Sequence, residues 1–175
     1  MNANEQLSHL LHATFPAQPM PTQFFWRKDL HDDSYEFRRD LLEWLGQRPW
    51  TEIKMRNWAM MAEPCLLREH LEPATFLYYL PSLFLGAIED PGYVGRALEA
   101  IIPSGRDRKP KGLWWRELLE TISLDQCAAI RAFIAHVRSN LLRSDLGPFS
   151  ITRDEALTSE AETFWDAQIA LKKGV

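Results

Sequence analysis

The chain has 175 residues, a length that predicts a single domain over residues 1–175. Hydrophobic residues make up 46% of it and charged residues 25%, as in ordinary globular proteins, and seven Trp and nine Phe supply a large core. The formal net charge is −4 at pH 7, which argues against a nucleic-acid partner because such proteins carry a basic surface.

The N-terminus has neither the basic nor the apolar region of a secretory signal, and the longest apolar-rich run, 76–88, is too short to span a bilayer. We therefore expect a cytoplasmic protein without a membrane partner. Cys65 and Cys127 are far apart and lie among apolar residues, which favours two reduced core thiols over a disulfide or a zinc site.

Apolar periodicity and capping residues predict an all-α fold, a compact single-domain bundle of about seven to nine helices. A proline-rich strut over 16–21 follows the first helix, and Asp32, Asp33 or Ser34 caps the second. The predicted helices, in chain order, cover about 3–15, 34–45, 52–61, a short stretch from Pro64, 73–88 in two pieces, 92–101, 113–122, a long stretch after Ser123, and 152–171.

The segment 73–88 is apolar on all sides, so a helix there must be central and buried. Pro81 lies in its middle, and proline removes a helical hydrogen bond. We therefore expect a central pair of apolar helices that meet in a kink at Leu80-Pro81.

Two capping boxes mark the starts of the last two helices, Ser123 with Gln126 and Thr152 with Glu155. Alternating apolar residues and Asn-Gly turns are missing from the sequence, which argues against strands.

Three clusters of titratable residues invite a catalytic or metal-binding interpretation: His9 with His12, the run 31–33, and the run 68–70 with Glu72. None has the spacing of a known zinc or nucleophile motif, and helix capping or core packing explains each of them. We expect no catalytic residue, no metal site and no cofactor.

The loop 104–112 is rich in basic residues and leads into a helix that carries Trp114 and Trp115. Basic groups of this kind recognise carboxylate or phosphate, and aromatic rings stack on ligands. The alternative is a solvated loop before two core tryptophans. The candidate partner-binding residues of this loop are Arg106, Arg108, Lys109 and Lys111.

The terminal helix carries more acidic than basic side chains before its last residues. Such a face is either simply solvated or docks onto a basic site, such as the active cleft of a nuclease, where complementary charge raises the association rate. The candidate partner-binding residues here are Asp154, Glu155, Glu160, Glu162 and Asp166.

Four segments together resemble a known family. They are Phe15 to Pro19, Leu41 to Gly46 with Pro49-Trp50, Phe76 to Phe84 with its Tyr-Tyr-Leu-Pro block, and Leu124 to Phe133. The pattern, over about residues 7–141, is similar to an uncharacterised and mainly bacterial family, domain of unknown function 6714. Glu72 departs from it, because the family has Ser or Thr before the proline, and the loop 103–112 and the tail after 145 look particular to this chain.

The resemblance implies no catalytic residues, since the family has none assigned. By analogy with other small, acidic bacterial proteins, we expect a cytoplasmic immunity protein. It would bind a cognate antibacterial toxin, such as a nuclease effector delivered by type VI secretion, and occlude its active site. The alternatives are a non-catalytic adaptor without a toxin partner, and a small hydrolase whose site around Glu69, His70 or His31 forms only on folding. The oligomeric state stays open.

Overall fold

A computed structural model of the chain describes residues 2–29, 34–142 and 148–174, with the backbone alone at 148–152. Over these residues the fold is all-α, as predicted, and its one strand-like pairing is an isolated bridge between Phe25 and Leu71. The α-helices are α1 Ala3–Thr14, α2 Ser34–Trp44, α3 Met55–Ala59, α4 Pro64–Leu67, α5 Pro73–Glu89, α6 Val94–Ala100, α7 Leu113–Thr121, α8 Leu124–His136 and α9 Pro148–Lys173. Short 3₁₀ turns lie at Trp50–Glu52, Arg68–His70 and Pro91–Tyr93, and a π-helical turn at Val137–Leu141 follows α8.

Local capping chemistry places several helix starts where the sequence predicts them. The predicted box before α8 is confirmed: the Ser123 hydroxyl accepts from the Gln126 N–H at 3.1 Å, and the Gln126 side chain accepts from the Ser123 N–H at 2.9 Å. Asn2 and Glu5 form a second box at the start of α1, with bonds of 2.9 and 2.8 Å.

The central helix α5 runs without interruption through Pro81, so the prediction of two helical pieces is wrong. Almost all of α5 is buried, and packing from every side outweighs the hydrogen bond that the proline removes. The next residue adds a local bond, because the Ser82 hydroxyl donates to the Tyr79 carbonyl at 2.6 Å and accepts from the Trp58 indole at 2.9 Å. No helix of the described residues is long and apolar enough to cross a bilayer.

The core surrounds α5, which packs against α1, α3, α6 and α7, while α9 packs against α6 and α8. Five large aromatic side chains are buried with their polar atoms bonded to backbone carbonyls, which offsets the loss of water around these atoms. These bonds join Trp50 to Phe15, Tyr78 to Ala17, Tyr79 to Leu45, Trp114 to Leu71, and Trp165 to Ile101, at 2.8 to 3.0 Å.

The start of α9 differs from the prediction, and the predicted caps of α2 cannot be compared with it. The terminal helix α9 begins at Pro148, so Thr152 lies inside it and is not its cap. Proline is favoured in a first helical turn, since its fixed φ suits the helix and its missing N–H would be unpaired there anyway. The proposed caps Asp32 and Asp33 of α2 lie outside the described residues.

The cysteines are both free, as predicted, with Cys127 buried and Cys65 half-buried. Burial raises the pKa of both thiols, which keeps them protonated and weakly reactive.

Candidate protein-interaction surface

The fold brings the two predicted binding regions together, although they are far apart in sequence. The loop that precedes α7 lies against α9, where Arg108 Nε donates to the Glu160 carboxylate at 2.7 Å. Arg108 Nη1 also donates to the Pro103 carbonyl at 3.0 Å, which holds the loop in a bend. We call residues 106–111 together with 159–167 the loop–helix surface.

A groove of about 440 Å³ lies within this surface, between the loop and α9. Phe164 is mostly buried and forms its apolar base, while Ser159 and Thr163 donate their hydroxyl protons to carbonyls of their own helix at 3.1 and 2.9 Å. These bonds hold both hydroxyls against the helix backbone at the side of the groove. Its lining consists of Arg106, Asp107, Arg108, Ser159, Glu160, Thr163, Phe164 and Ala167.

The buried Arg68 anchors the start of the loop, a role that the sequence does not indicate. Its Nη1 donates to the carbonyls of Glu99, Ala100 and Ile102 at 2.7, 3.1 and 2.9 Å, and its Nη2 donates to the Ser104 hydroxyl at 2.9 Å. A cation at the carboxyl end of α6 also suits the negative end of the helix dipole. Arg68 is therefore a positioning residue for the surface and not part of an acid–base cluster.

Burial lowers the pKa of the Arg68 guanidinium, while the neighbouring Glu69 carboxylate, 3.8 Å from Nε, favours its charged form. Arginine stays charged in proteins even so, because its ordinary pKa is far above neutrality. The site is thus a permanent buried cation surrounded by carbonyl oxygens.

The two tryptophans after the loop are core residues and do not offer their rings to a ligand. Trp114 and Trp115 are only 1% and 2% exposed. The Trp115 ring meets Phe164 edge-on at 5.7 Å between ring centres, so it supports the base of the groove from inside.

Most of the predicted acidic residues of α9 are paired within the molecule. Glu162 accepts two bonds from Arg138, at 2.9 and 2.6 Å, and lies 3.3 Å from Arg131. Asp166 accepts from Arg131 at 2.8 Å. Arg131 lies in α8 and Arg138 in the π-helical turn that follows it, so these carboxylates attach α9 to α8 and its extension, and their charge is largely neutralised. Reversing them would therefore remove these contacts between helices as well as change any interface.

Asp154 lies apart from the loop–helix surface, in a second groove of about 400 Å³ between α6 and α9. Ion pairs line this groove, Arg153 with Glu99 at 2.8 Å and Arg96 with Glu63 at 3.0 Å. Burial raises the pKa of Asp154, and the nearby Glu99 carboxylate raises it further. Glu155, the remaining candidate, is exposed on α9.

The loop cations differ from one another in their surroundings. Lys111 pairs with Asp107 at 2.9 Å, and this lysine holds the pKa of the Asp107 carboxyl below its usual value. Arg106 and Lys109 are exposed, and neither forms an ion pair within the described part of the chain.

Two of the histidines that drew attention in the sequence, His70 and His12, make polar contacts within the fold. His70 is buried, its Nδ1 lies 2.6 Å from the buried Asp29 carboxylate, and Arg38 Nε donates to the same carboxylate at 3.3 Å. His12 bonds the Ser8 carbonyl of its own helix at 2.8 Å. His31 lies outside the described residues, and within the described ones three or more potential metal ligands do not gather anywhere.

No curated protein and no solved structure matches the chain. The model of a family of unknown function, DUF6714, matches residues 3–168, which confirms the resemblance seen in the sequence. The match is longer than the resemblance over 7–141, because it continues through most of α9, and it spans both the loop 103–112 and the tail after 145 up to residue 168. The chain belongs to the family of unknown function DUF6714.

Proposed function

We propose that this chain is a cytoplasmic immunity protein, which binds a cognate protein toxin and covers the toxin's active site with the loop–helix surface. The observation that supports the proposal is the joining of loop and α9 around one groove by the Arg108–Glu160 pair. A concave surface with charged walls and an apolar base is typical of a site for a protruding segment of another protein.

The loop–helix surface is also held in place before any partner arrives. Arg68 fixes the start of the loop, Arg108 fixes its bend, and Arg131 and Arg138 attach α9 to α8. Because these groups are already ordered, binding would cost little conformational entropy. An inhibitor that must act before a toxin harms its own cell benefits from such preorganisation, which favours tight and lasting complexes.

The test is co-expression with the protein encoded by the neighbouring gene. We expect a complex that survives purification, and growth of cells that the neighbouring protein alone would kill. Ala167→Arg places a long side chain into the groove and should abolish both the complex and the protection. Ala156→Arg is the matched control, since Ala156 is exposed on the same helix outside the groove.

The outcomes separate this proposal from an adaptor role. A complex that forms through the groove without protecting cells would assign the chain to non-catalytic adaptors instead. If no complex forms, or if the two arginine variants behave alike, this surface is not a toxin-binding site. Equal melting temperatures of both variants and the parent protein are required for the comparison.

A further inference from the structure

The ion pairs of α9 decide which charge the loop–helix surface offers to a partner. Glu160 is occupied by Arg108, and Glu162 and Asp166 are occupied by Arg131 and Arg138. A basic partner would have to compete with intramolecular cations at each carboxylate of the loop–helix surface. The excess of acidic residues in the sequence of α9 therefore does not produce an acidic docking face.

Positive charges outnumber negative ones at the loop. The loop's four cations, together with Arg131 and Arg138, make six positive charges in and beside the loop–helix surface. The carboxylates of the surface number four, Asp107, Glu160, Glu162 and Asp166, so the net charge is two positive. Within the loop, Arg106 and Lys109 are exposed and form no ion pair with the described part of the chain. Exposed positive groups next to a groove attract negative groups and speed their arrival.

The molecule itself shows which negative group suits the loop. Arg108 already binds a carboxylate, Glu160, at 2.7 Å across the mouth of the groove. The apolar base formed by Phe164 and Ala167 suits an aliphatic or aromatic side chain. The overall charge of −4 opposes a continuous phosphate backbone, which brings many negative charges, more strongly than it opposes a short segment with a few carboxylates.

We infer that the loop–helix surface takes an acidic segment of a partner protein, with one apolar side chain in the groove and flanking carboxylates on Arg106 and Lys109. This inference rests on the proposed function in one respect, that the surface binds a protein. It adds the chemical class of the partner, which is the opposite of the basic nuclease cleft that the sequence suggests for α9.

The test uses three probes of defined charge on the isotope-labelled full chain, followed by NMR. They are a capped peptide Glu-Glu-Leu-Glu-Glu, the matching peptide Lys-Lys-Leu-Lys-Lys, and a single-stranded oligothymidine. We expect the acidic peptide to shift amide signals of 106–111 and 159–167, with an affinity that falls as salt rises. Absence of these shifts, or stronger shifts there with the lysine peptide or the oligonucleotide, overturns the inference.

Charge-changing variants identify the groups involved. The double variant Arg106→Glu with Lys109→Glu should lower the affinity for the acidic peptide by about tenfold or more. Glu160→Gln should raise this affinity roughly two- to fivefold, because Arg108 is freed. The matched control, Arg27→Glu with Arg56→Glu, makes the same change in net charge at exposed residues outside the surface. An equal loss in the control would mean general electrostatics and would contradict the inference.

The peptide experiment needs no cognate toxin, so the two proposals fail separately. Acidic-peptide binding without a toxin complex leaves the inference standing and rejects the immunity function. A protective complex that tolerates the Arg106 and Lys109 reversals keeps the function and rejects the acidic partner segment.

Discussion

The guanidinium carbon of Arg68 lies 4.8 Å from the centre of the Trp115 ring. The same ring meets Phe164 of α9 edge-on at 5.7 Å, so a fully buried cation, a core tryptophan and the base of the groove form one stack. A cation over an aromatic face is attracted most strongly where water is excluded. Through this stack and its bonds to carbonyls, Arg68 links the end of α6, the loop and α9.

Removing the Arg68 charge should therefore be among the most destabilising single changes in the chain. Arg68→Met leaves the buried carbonyls of Ala100 and Ile102 without their donor, at about 1–3 kcal/mol for each. Arg68→Lys keeps a cation but loses the planar guanidinium, so its stability should lie between that of the parent and that of Arg68→Met. Urea unfolding of the three proteins measures the order, and a methionine variant as stable as the parent would contradict the anchoring role.

The cap of α5 offers a stabilising change. Glu72 occupies the N-cap position without a side-chain bond to the helix, and its carboxylate accepts instead from Gln23 at 3.1 Å. Burial raises the pKa of Glu72, so its charged form is disfavoured where it stands. Glu72→Ser supplies a capping oxygen and should raise the free energy of unfolding by about 0.5–1 kcal/mol.

The control for this change is Glu72→Ala, which removes the same carboxylate without adding a cap. Thermal unfolding at neutral pH compares the three proteins. The Glu72→Ser variant should have a higher melting temperature than both the Glu72→Ala variant and the parent protein. Equal melting temperatures for serine and alanine would show that the serine hydroxyl does not cap α5.

The contrast between what the sequence predicts and what it misses follows from the range of the interactions. Ser123 and Gln126 are three residues apart, so their capping box is visible in the sequence and is confirmed. Burial of α5 follows from its composition alone, but its continuity through Pro81 depends on neighbours distant in sequence. Local pattern favours a break there, and tertiary packing overrides it.

The candidate surface shows the same limit. The basic loop and the acidic helix are both visible as charged stretches, but the Arg108–Glu160 bond joins residues 52 apart. Likewise, the periodicity of α9 does not reveal that Arg131 and Arg138 neutralise its acids. Charge counted along a chain therefore does not give the charge that stays exposed on the surface, because pairing in three dimensions decides it.

Alkaline pH should destabilise the protein through Tyr79. Burial raises the pKa of its phenol from 10 to about 12, and the neutral O–H donates to the carbonyls of Leu45 and Arg48 at 3.0 and 3.1 Å. Because the folded pKa lies above the unfolded value, this contribution to stability is fully present below pH 10 and is lost as pH rises towards 12.

Tyr79→Phe tests this directly. At pH 8 it should cost about 1–2 kcal/mol, since the buried carbonyls lose a donor. Between about pH 10 and 12 the variant should lose less stability than the parent, so the two curves converge. Tyr35→Phe is the control, because Tyr35 is 78% exposed and its removal should leave the pH dependence unchanged. Parallel curves for Tyr79→Phe and the parent would contradict the assignment.

Asp154 should act in the opposite range of pH. Burial, and then the Glu99 carboxylate, raise its pKa above the ordinary 3.8. Protonation is therefore easier in the folded state than in the unfolded one. The resulting contribution to stability is fully present below pH 3.8 and is lost as pH rises through the folded pKa. At neutral pH the ionised Asp154 carboxylate in the second groove therefore lowers the free energy of unfolding.

Asp154→Asn removes this charge while keeping the shape, so it should be more stable than the parent at pH 7, with the difference disappearing in acid. Glu155→Gln is the matched control, because it removes a neighbouring charge from an exposed position of the same helix. Urea unfolding across about pH 3 to 7 distinguishes the two variants. If Asp154→Asn is less stable at pH 7, then the carboxylate has a stabilising cationic partner in solution, and Arg153, which already favours its charged form, is the first candidate.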